Sequence, residues 1–302
     1  MKPIIEIKEL KKYFGDVKAV DGISFSVKEN ELFAFLGQNG AGKSTTISII
    51  CGQLLSDSGN VTVNGNDIKK DMNAIKRDIG VVFQSSVLDS PLSVYDNLKN
   101  RASLYGIYGS EFKSRLNELT ELLDLEPLLK RTLSKLSGGQ KRRIDIARAL
   151  IHKPKILILD EPTTGLDPQT RNTVWNVVKK LQKNEGITVF LTTHYMEEAA
   201  NADNVVILDS GRIAAEGTPH ELKNRFTGDF ITLYGVGEDD VKEFGYPFEA
   251  VKDAFRIKVP NTESATQLII KYPEKFRDYE ITKGDMDDVF LAVTGKKLGE
   301  EA

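Results

Sequence analysis

The chain has a single cysteine, Cys51, among 302 residues, so no intrachain disulfide can form. It has no apolar run near the ~20 residues a helix needs to cross a bilayer. If the protein works at a membrane, another chain must supply the membrane part. The opening residues, MKPIIEIKEL, carry charge from the second position and lack a signal peptide's apolar core. With a lone thiol and no export signal, a reducing cytoplasm is the expected compartment. Neither charge sign dominates: 41 Lys and Arg face 44 Asp and Glu, a net −3, and no basic stripe offers a surface for nucleic acid. Internal repeats and low-complexity tracts are missing too. What remains is an ordinary globular composition, long enough for one large domain and a smaller one.

One stretch organises that chain. Residues 31–52, ELFAFLGQNGAGKSTTISIICG, read as a short buried strand, a glycine-rich turn and a helix. The turn holds G-x-x-x-x-G-K-S: Gly37, Gln38, Asn39, Gly40, Ala41, Gly42, Lys43 and Ser44, with Thr45 next. Glycines let backbone N–H groups converge on one anion, and the following helix aims its positive end at the same place. Lys43 can reach terminal phosphates, and the Ser44 hydroxyl can ligate Mg²⁺. An ordinary glycine-rich turn with a solvated lysine is the competing reading, and the strand-turn-helix context counts against it.

Around this stretch the pattern alternates between strand and helix. Residues 4–36 read as strands, with Ile5 and Ile7 first and Ile23, Phe25 and Val27 later. Tyr13 and Phe14 sit between those strands, either as core aromatics or as a platform for a base. Residues 61–65 read as strand and turn, and residues 79–83 as a strand that ends at Gln84. On its own Gln84 is a capping or surface residue. Residues 93–151 read as helical, with an amphipathic run through Phe112, Leu116 and Leu119. Ser137 with Gln140 three positions on is a capping box, so a helix begins there. The glycines between them, Gly138 and Gly139, leave its first amides exposed: a second anion site, or only a softened helix start.

Residues 155–161, KILILDE, form an apolar strand ending in two carboxylates, which is costly unless a cation or hydrogen bonds compensate. Given the phosphate loop, Asp160 would hold Mg²⁺ through water and Glu161 would face an attacking water. Asp167 and Pro168 read as an N-cap with proline at the first helical position. The next strand, residues 187–193, ends at His194, a structural histidine or, at the ligand-binding edge of an open sheet, a functional one. A hairpin follows around residues 209–211, and residues 218–226 open as a short helix. After Gly228 come strands near 231–235, 254–259 and 280–282 and helices near 262–272 and 285–294.

Taken together, residues 3–226 resemble the ATP-hydrolysing subunit of an ABC transporter. The family's motifs occur in order: GQNGAGKS at 37–44, a Q-loop glutamine at Gln84, LSGGQ at 136–140, ILILDE at 156–161, a D-loop ending in Asp167, and a switch histidine at His194. The resemblance implies an α/β fold of the P-loop NTPase class. It would have an N-terminal antiparallel β region and a helical subdomain at about 85–150 within an ATPase domain at 1–226. A small α/β appendix would follow at 227–302. It implies ATP and Mg²⁺ as cofactors, with the metal near Ser44, Gln84 and Asp160. Lys43, Glu161, His194 and Gln84 would carry the hydrolysis. By the family's register Phe14 stacks on the base.

The resemblance also implies partners. Two such domains pair head to tail, so Ser137, Gly138, Gly139 and Gln140 of one copy close on ATP held by the other. A homodimer is therefore expected, docked through its helical region on a separate integral membrane permease at the cytoplasmic face. Residues 287–295, DDVFLAVTG, resemble the ending of bacterial drug and antibiotic exporter ATPases and favour export over import. The alternatives are an importer ATPase with a regulatory tail, a soluble ABC ATPase acting on nucleic acid or the ribosome, and a nucleotide-gated clamp with little turnover. The lack of a basic stripe disfavours the second, and Glu161 in its expected place disfavours the third.

Overall fold

The computed structural model describes residues 2–295, and the chain divides into two compact units, residues 1–214 and 215–302. In the first, β1 (Ile5–Phe14) and β2 (Val17–Val27) form a hairpin. Tyr13 and Phe14 therefore belong to β1 itself, not to a segment between strands, because the strand runs unbroken to the turn that pairs Phe14 with Val17. Next come β3 (Leu32–Leu36), α1 (Lys43–Ile50), β4 (Ser58–Val63) and β5 (Asn66–Asp67). The antiparallel sheet has the order β2-β1-β4-β5.

After α2 (Met72–Asp78) and β6 (Ile79–Val82) come three helices: α3 (Val94–Ser103), α4 (Gly109–Leu123) and α5 (Gly138–Leu150). All three lie in the stretch whose apolar spacing reads as helical. The chain then passes through β7 (Ile156–Asp160), α6 (Pro168–Glu185), β8 (Thr188–Thr193), α7 (Met196–Ala199), β9 (Asn204–Asp209) and β10 (Arg212–Gly217). The second sheet has the order β10-β9-β3-β8-β7-β6, and its strands from β9 to β6 run parallel. Central parallel strands are covered on both faces, which is why β3 and β7 are buried at every residue and read as continuous apolar runs. Phe25 of the antiparallel sheet stacks on Phe33 of β3 at 5.3 Å between ring centres, so one aromatic core joins the two sheets.

The register brings the functional strand ends level. Leu36 pairs with Thr193, and Thr192 pairs with Asp160. The phosphate loop, His194 and the paired carboxylates thus emerge side by side at the carboxyl edge of one sheet, where such sheets bind ligands.

The second unit holds α8 (Pro219–Phe226), β11 (Asp229–Tyr234), α9 (Glu238–Lys242), β12 (Phe248–Val251), β13 (Ala254–Val259), α10 (Thr262–Lys271), β14 (Tyr279–Lys283) and α11 (Met286–Thr294). Its antiparallel sheet, β12-β13-β11-β14, packs Ile231, Leu233, Ile257 and Val259 against Ala265 and Leu268 of α10. The division falls earlier than the expected one after Phe226, because α8 packs against α11 of its own unit. The expected span 227–302 also ends outside the described residues.

Candidate functional site

The glycine turn is shaped by what surrounds it. Gly42 has φ +108, and a Cβ there would stand 2.2 Å from the Ala19 carbonyl oxygen. A Cβ on Gly37 would meet the Leu208 carbonyl oxygen at 2.7 Å. Both positions admit only glycine, one for conformation and space, the other for space alone. No side chain caps α1, so its leading amides face the loop.

Lys43 is 4% exposed and folds back over that loop. Its Nζ donates to the carbonyls of Gly37 (2.7 Å) and Gln38 (3.1 Å) and lies 3.3 Å from Oε1 of Glu161. Burial pulls the ammonium below its ordinary pKa, against the opposing pull of Glu161 and Asp160.

Glu161 gathers several partners. Its Oε2 accepts from Gln84 Nε2 at 3.2 Å and from Thr164 Oγ1 at 3.2 Å. His194 Nδ1 stands 3.3 Å from the same oxygen without reaching hydrogen-bond geometry. Burial pushes this carboxyl up, but Lys43 and His194 outweigh burial and hold it below the usual carboxylate range. Its backbone has φ +44, unusual for a residue with a Cβ, and its amide donates to both oxygens of Thr192. Asp160 next to it accepts from Thr192 Oγ1 at 2.6 Å, and burial raises its pKa. The two neighbouring carboxyls are pushed apart, the pattern of a site that assigns them different tasks.

These groups surround a cavity of about 740 Å³, lined by Asn39, Gly40, Gly42, Lys43, Ser44, Thr45, Gln84 and Glu161. Five further lining residues, Asp16, Val17, Lys18, Ala19 and Ser210, went unnoticed in the sequence. They come from the β1–β2 turn with the first residues of β2 and from the β9–β10 turn, and only the fold brings these segments to the loop. Phe14 is 50% exposed and does not line the cavity, although its strand partner Val17 does. Ser44 and Asp160 offer a hydroxyl and a carboxylate, an oxygen-only donor set that suits Mg²⁺.

Ser137, Gly138, Gly139 and Gln140 lie outside this cavity. Ser137 caps α5: its hydroxyl accepts from the Gln140 amide, and its own amide donates to Gln140 Oε1. Ser137 and Gly138 are exposed. Asp167, also outside the cavity, caps α6 by accepting from the Thr170 amide at 3.0 Å. Two buried residues missed in the sequence brace the segment after Glu161. Arg142 reaches its carbonyls. Glu198 accepts from Thr163 Oγ1, from Trp175 Nε1 at 3.1 Å and from Thr193 Oγ1 at 2.5 Å.

Comparison with known proteins gives four findings of one kind. The family profile described as ABC transporter matches residues 20–164. The chain is 44% identical over 239 residues to the linearmycin resistance ATP-binding protein LnrL of Bacillus subtilis, covering 78% of this chain and 76% of that one. It is 33% identical to the Nod factor export ATP-binding protein I of Ralstonia nicotianae, covering 98% of this chain and 95% of that one. Among solved structures, a dimeric ATP-binding cassette in a post-hydrolysis state with ADP and Pi bound superposes with a TM-score of 0.64. It shares 28% identity, with 71% of this chain and 98% of that one covered.

Proposed function

The chain belongs to the ABC transporter ATPase family, and from that premise we propose that it is the ATP-hydrolysing subunit of an exporter whose membrane path is a separate permease. The observation that carries this reading is the Glu161 carboxylate, held between Lys43, Gln84, Thr164 and His194 at the mouth of the phosphate-loop cavity. ATP lies with its phosphates on the amides of α1 and Lys43. Ser44 and Asp160, with Gln84 nearby, would hold Mg²⁺, which would supply charge neutralisation on the phosphates. Water attacks the γ-phosphorus in line, the bond to the ADP oxygen breaks, and Glu161 orients the water and takes its proton. His194 steadies the γ-phosphoryl group.

The exposed tip at Ser137 and Gly138 lies away from its own cavity and is suited to closing on nucleotide held by a second, head-to-tail copy. ATP binding then closes the dimer, and hydrolysis opens it. The permease reading is supported by the relatives' printed roles and by the fact that no helix among the described residues is long and apolar enough to cross a membrane. Residues 85–150 form the docking region, at the cytoplasmic face. The exporter-like ending adds less, since Val289 and Phe290 of α11 are buried and serve packing.

Replacing Glu161 with Gln tests the reading. The variant should bind ATP, run as a dimer on size exclusion with ATP, Mg²⁺ and permease, and release phosphate at least ~100-fold more slowly. Normal turnover by a monomer would overturn it.

A further inference from the structure

Three segments meet at one side chain that does not line the phosphate-loop cavity. Arg142 sits one turn into α5, behind the Ser137 tip, and is 6% exposed. Its Nε donates to the Pro162 carbonyl at 2.5 Å and Nη1 to the Phe83 carbonyl at 2.6 Å. Its Nη2 donates to the carbonyls of Gln84 at 3.3 Å and Glu161 at 3.1 Å. One planar fork therefore spans the segment after β6, which carries Gln84, and the turn carrying Glu161, from the helix that Ser137 caps.

Burial pulls the Arg142 guanidinium below its ordinary pKa, against the opposing pull of buried Asp145 and Asp160. These four hydrogen bonds all go to neutral carbonyls and so secure geometry. One of those carbonyls belongs to Glu161, whose φ of +44 persists only where its surroundings over-determine it. A lysine in this place would keep the charge but has a single nitrogen, which cannot bridge four carbonyls on two segments.

We infer that Arg142 is a positioning residue that ties the seating of its own α5 tip to the placement of Gln84 and Glu161 in the same chain. This rests on the head-to-tail reading above, in which the tip serves the facing copy's ATP while Gln84 and Glu161 serve their own. Under that arrangement Arg142 bridges the two nucleotide sites, and its loss uncouples them. Binding of the first ATP no longer helps the second site to fire.

The test uses the full chain with its permease, in Arg142→Gln and Arg142→Lys forms, with the lysine form as the milder change should the glutamine form fold poorly. The expected result is a kcat about tenfold or more below the unmodified protein, with KM for ATP changed by less than about twofold. The Hill coefficient for ATP should fall towards unity in both variants. A residue needed only for folding would lower the melting temperature and the active fraction, yet leave the Hill coefficient of the surviving molecules unchanged. That outcome, or an unaltered kcat in a folded variant, overturns the inference. The Glu161→Gln dimer on size exclusion separates the two failures. If it forms while the Arg142 variants stay cooperative, the bridging role is wrong and the dimer reading stands; if it does not form, both fall.

Discussion

In the unit of residues 1–214 the interior holds Glu31, Lys43, Arg142, Asp145, Asp160, Glu161 and Glu198 among its apolar side chains. In the unit of residues 215–302 the interior is Ile231, Leu233, Ile257, Val259 and their aromatic neighbours, and Asp229 is the one buried ionisable residue among those described. Other ion pairs of the second unit, such as Lys275 with Glu243 and Arg256 with Asp288, lie at a partly exposed rim where each contributes little. Buried charge seldom stabilises a fold on balance. Lys43 and Glu161 line the phosphate-loop cavity, with Asp160 next to Glu161 in the chain, which marks where chemistry takes precedence over stability. The second unit follows the ordinary rules of a packed core.

The largest effect that would test this contrast is chemical. Lys43→Ala should remove about 3–4 kcal/mol of transition-state stabilisation, a ~10²–10³-fold fall in phosphate release, while the far-ultraviolet spectrum stays native. Turnover near the unmodified rate would mean the buried cation is not there for the reaction. In the second unit the expected change is in stability alone. Leu233→Ala should cost about 2–5 kcal/mol in urea unfolding, with KM for ATP unaltered. A shifted KM would show that the two units do not divide the work as their interiors suggest.

A smaller effect separates structural from chemical buried charge inside the first unit. Glu198 is met by three neutral donors, so Glu198→Gln sets an amide N–H₂ against them and should cost about 1–3 kcal/mol of stability in the same urea assay. The smallest lies where β1, β2 and β10 meet. Asp21 accepts from the Tyr13 hydroxyl and a forked Arg212, which hold its pKa down to about 2. A carboxyl whose folded pKa is depressed stabilises the protein above its unfolded pKa and loses that contribution as pH falls to its folded one. Asp21→Asn should therefore lower the urea midpoint at neutral pH, with the difference closing between about pH 4 and pH 2. A gap that persisted in acid would assign the effect to packing.

What could be read from the sequence was local. The phosphate loop, the carboxylates ending β7, the capping box at Ser137 and the Asp167-Pro168 helix start each declare themselves within a few residues, because their physics is that of a turn or a helix end. Arg142 was hidden because it sits beside Lys141 and Arg143 in a run that looks like a solvated face, and only the meeting of Phe83 with Pro162 in space gives it partners. Glu198 was hidden likewise, since its donors come from three separate elements. The division at residue 214 was not legible for the same reason: α8 opens with a clear capping box, but nothing in it tells which neighbour its Leu222 will face. The short edge strand β12, half-buried only at Phe248, carries too little alternation to stand out.

Several helices of this protein finish their own first turn. Ser93, Ser137, Asp167, Thr218, Asn261 and Asp285 each accept an amide at a helix start. The helix begun by Lys43 has no such residue, nor do α2, α4 and α7, and at α1 the phosphates of a bound nucleotide would take the free amides. A ligand at a hundred times its dissociation constant adds about 2.7 kcal/mol to a fold. The protein's resistance to heat and to proteases should thus rise and fall with the triphosphate supply around it, so that a starved cell would clear it sooner than a well-fed one.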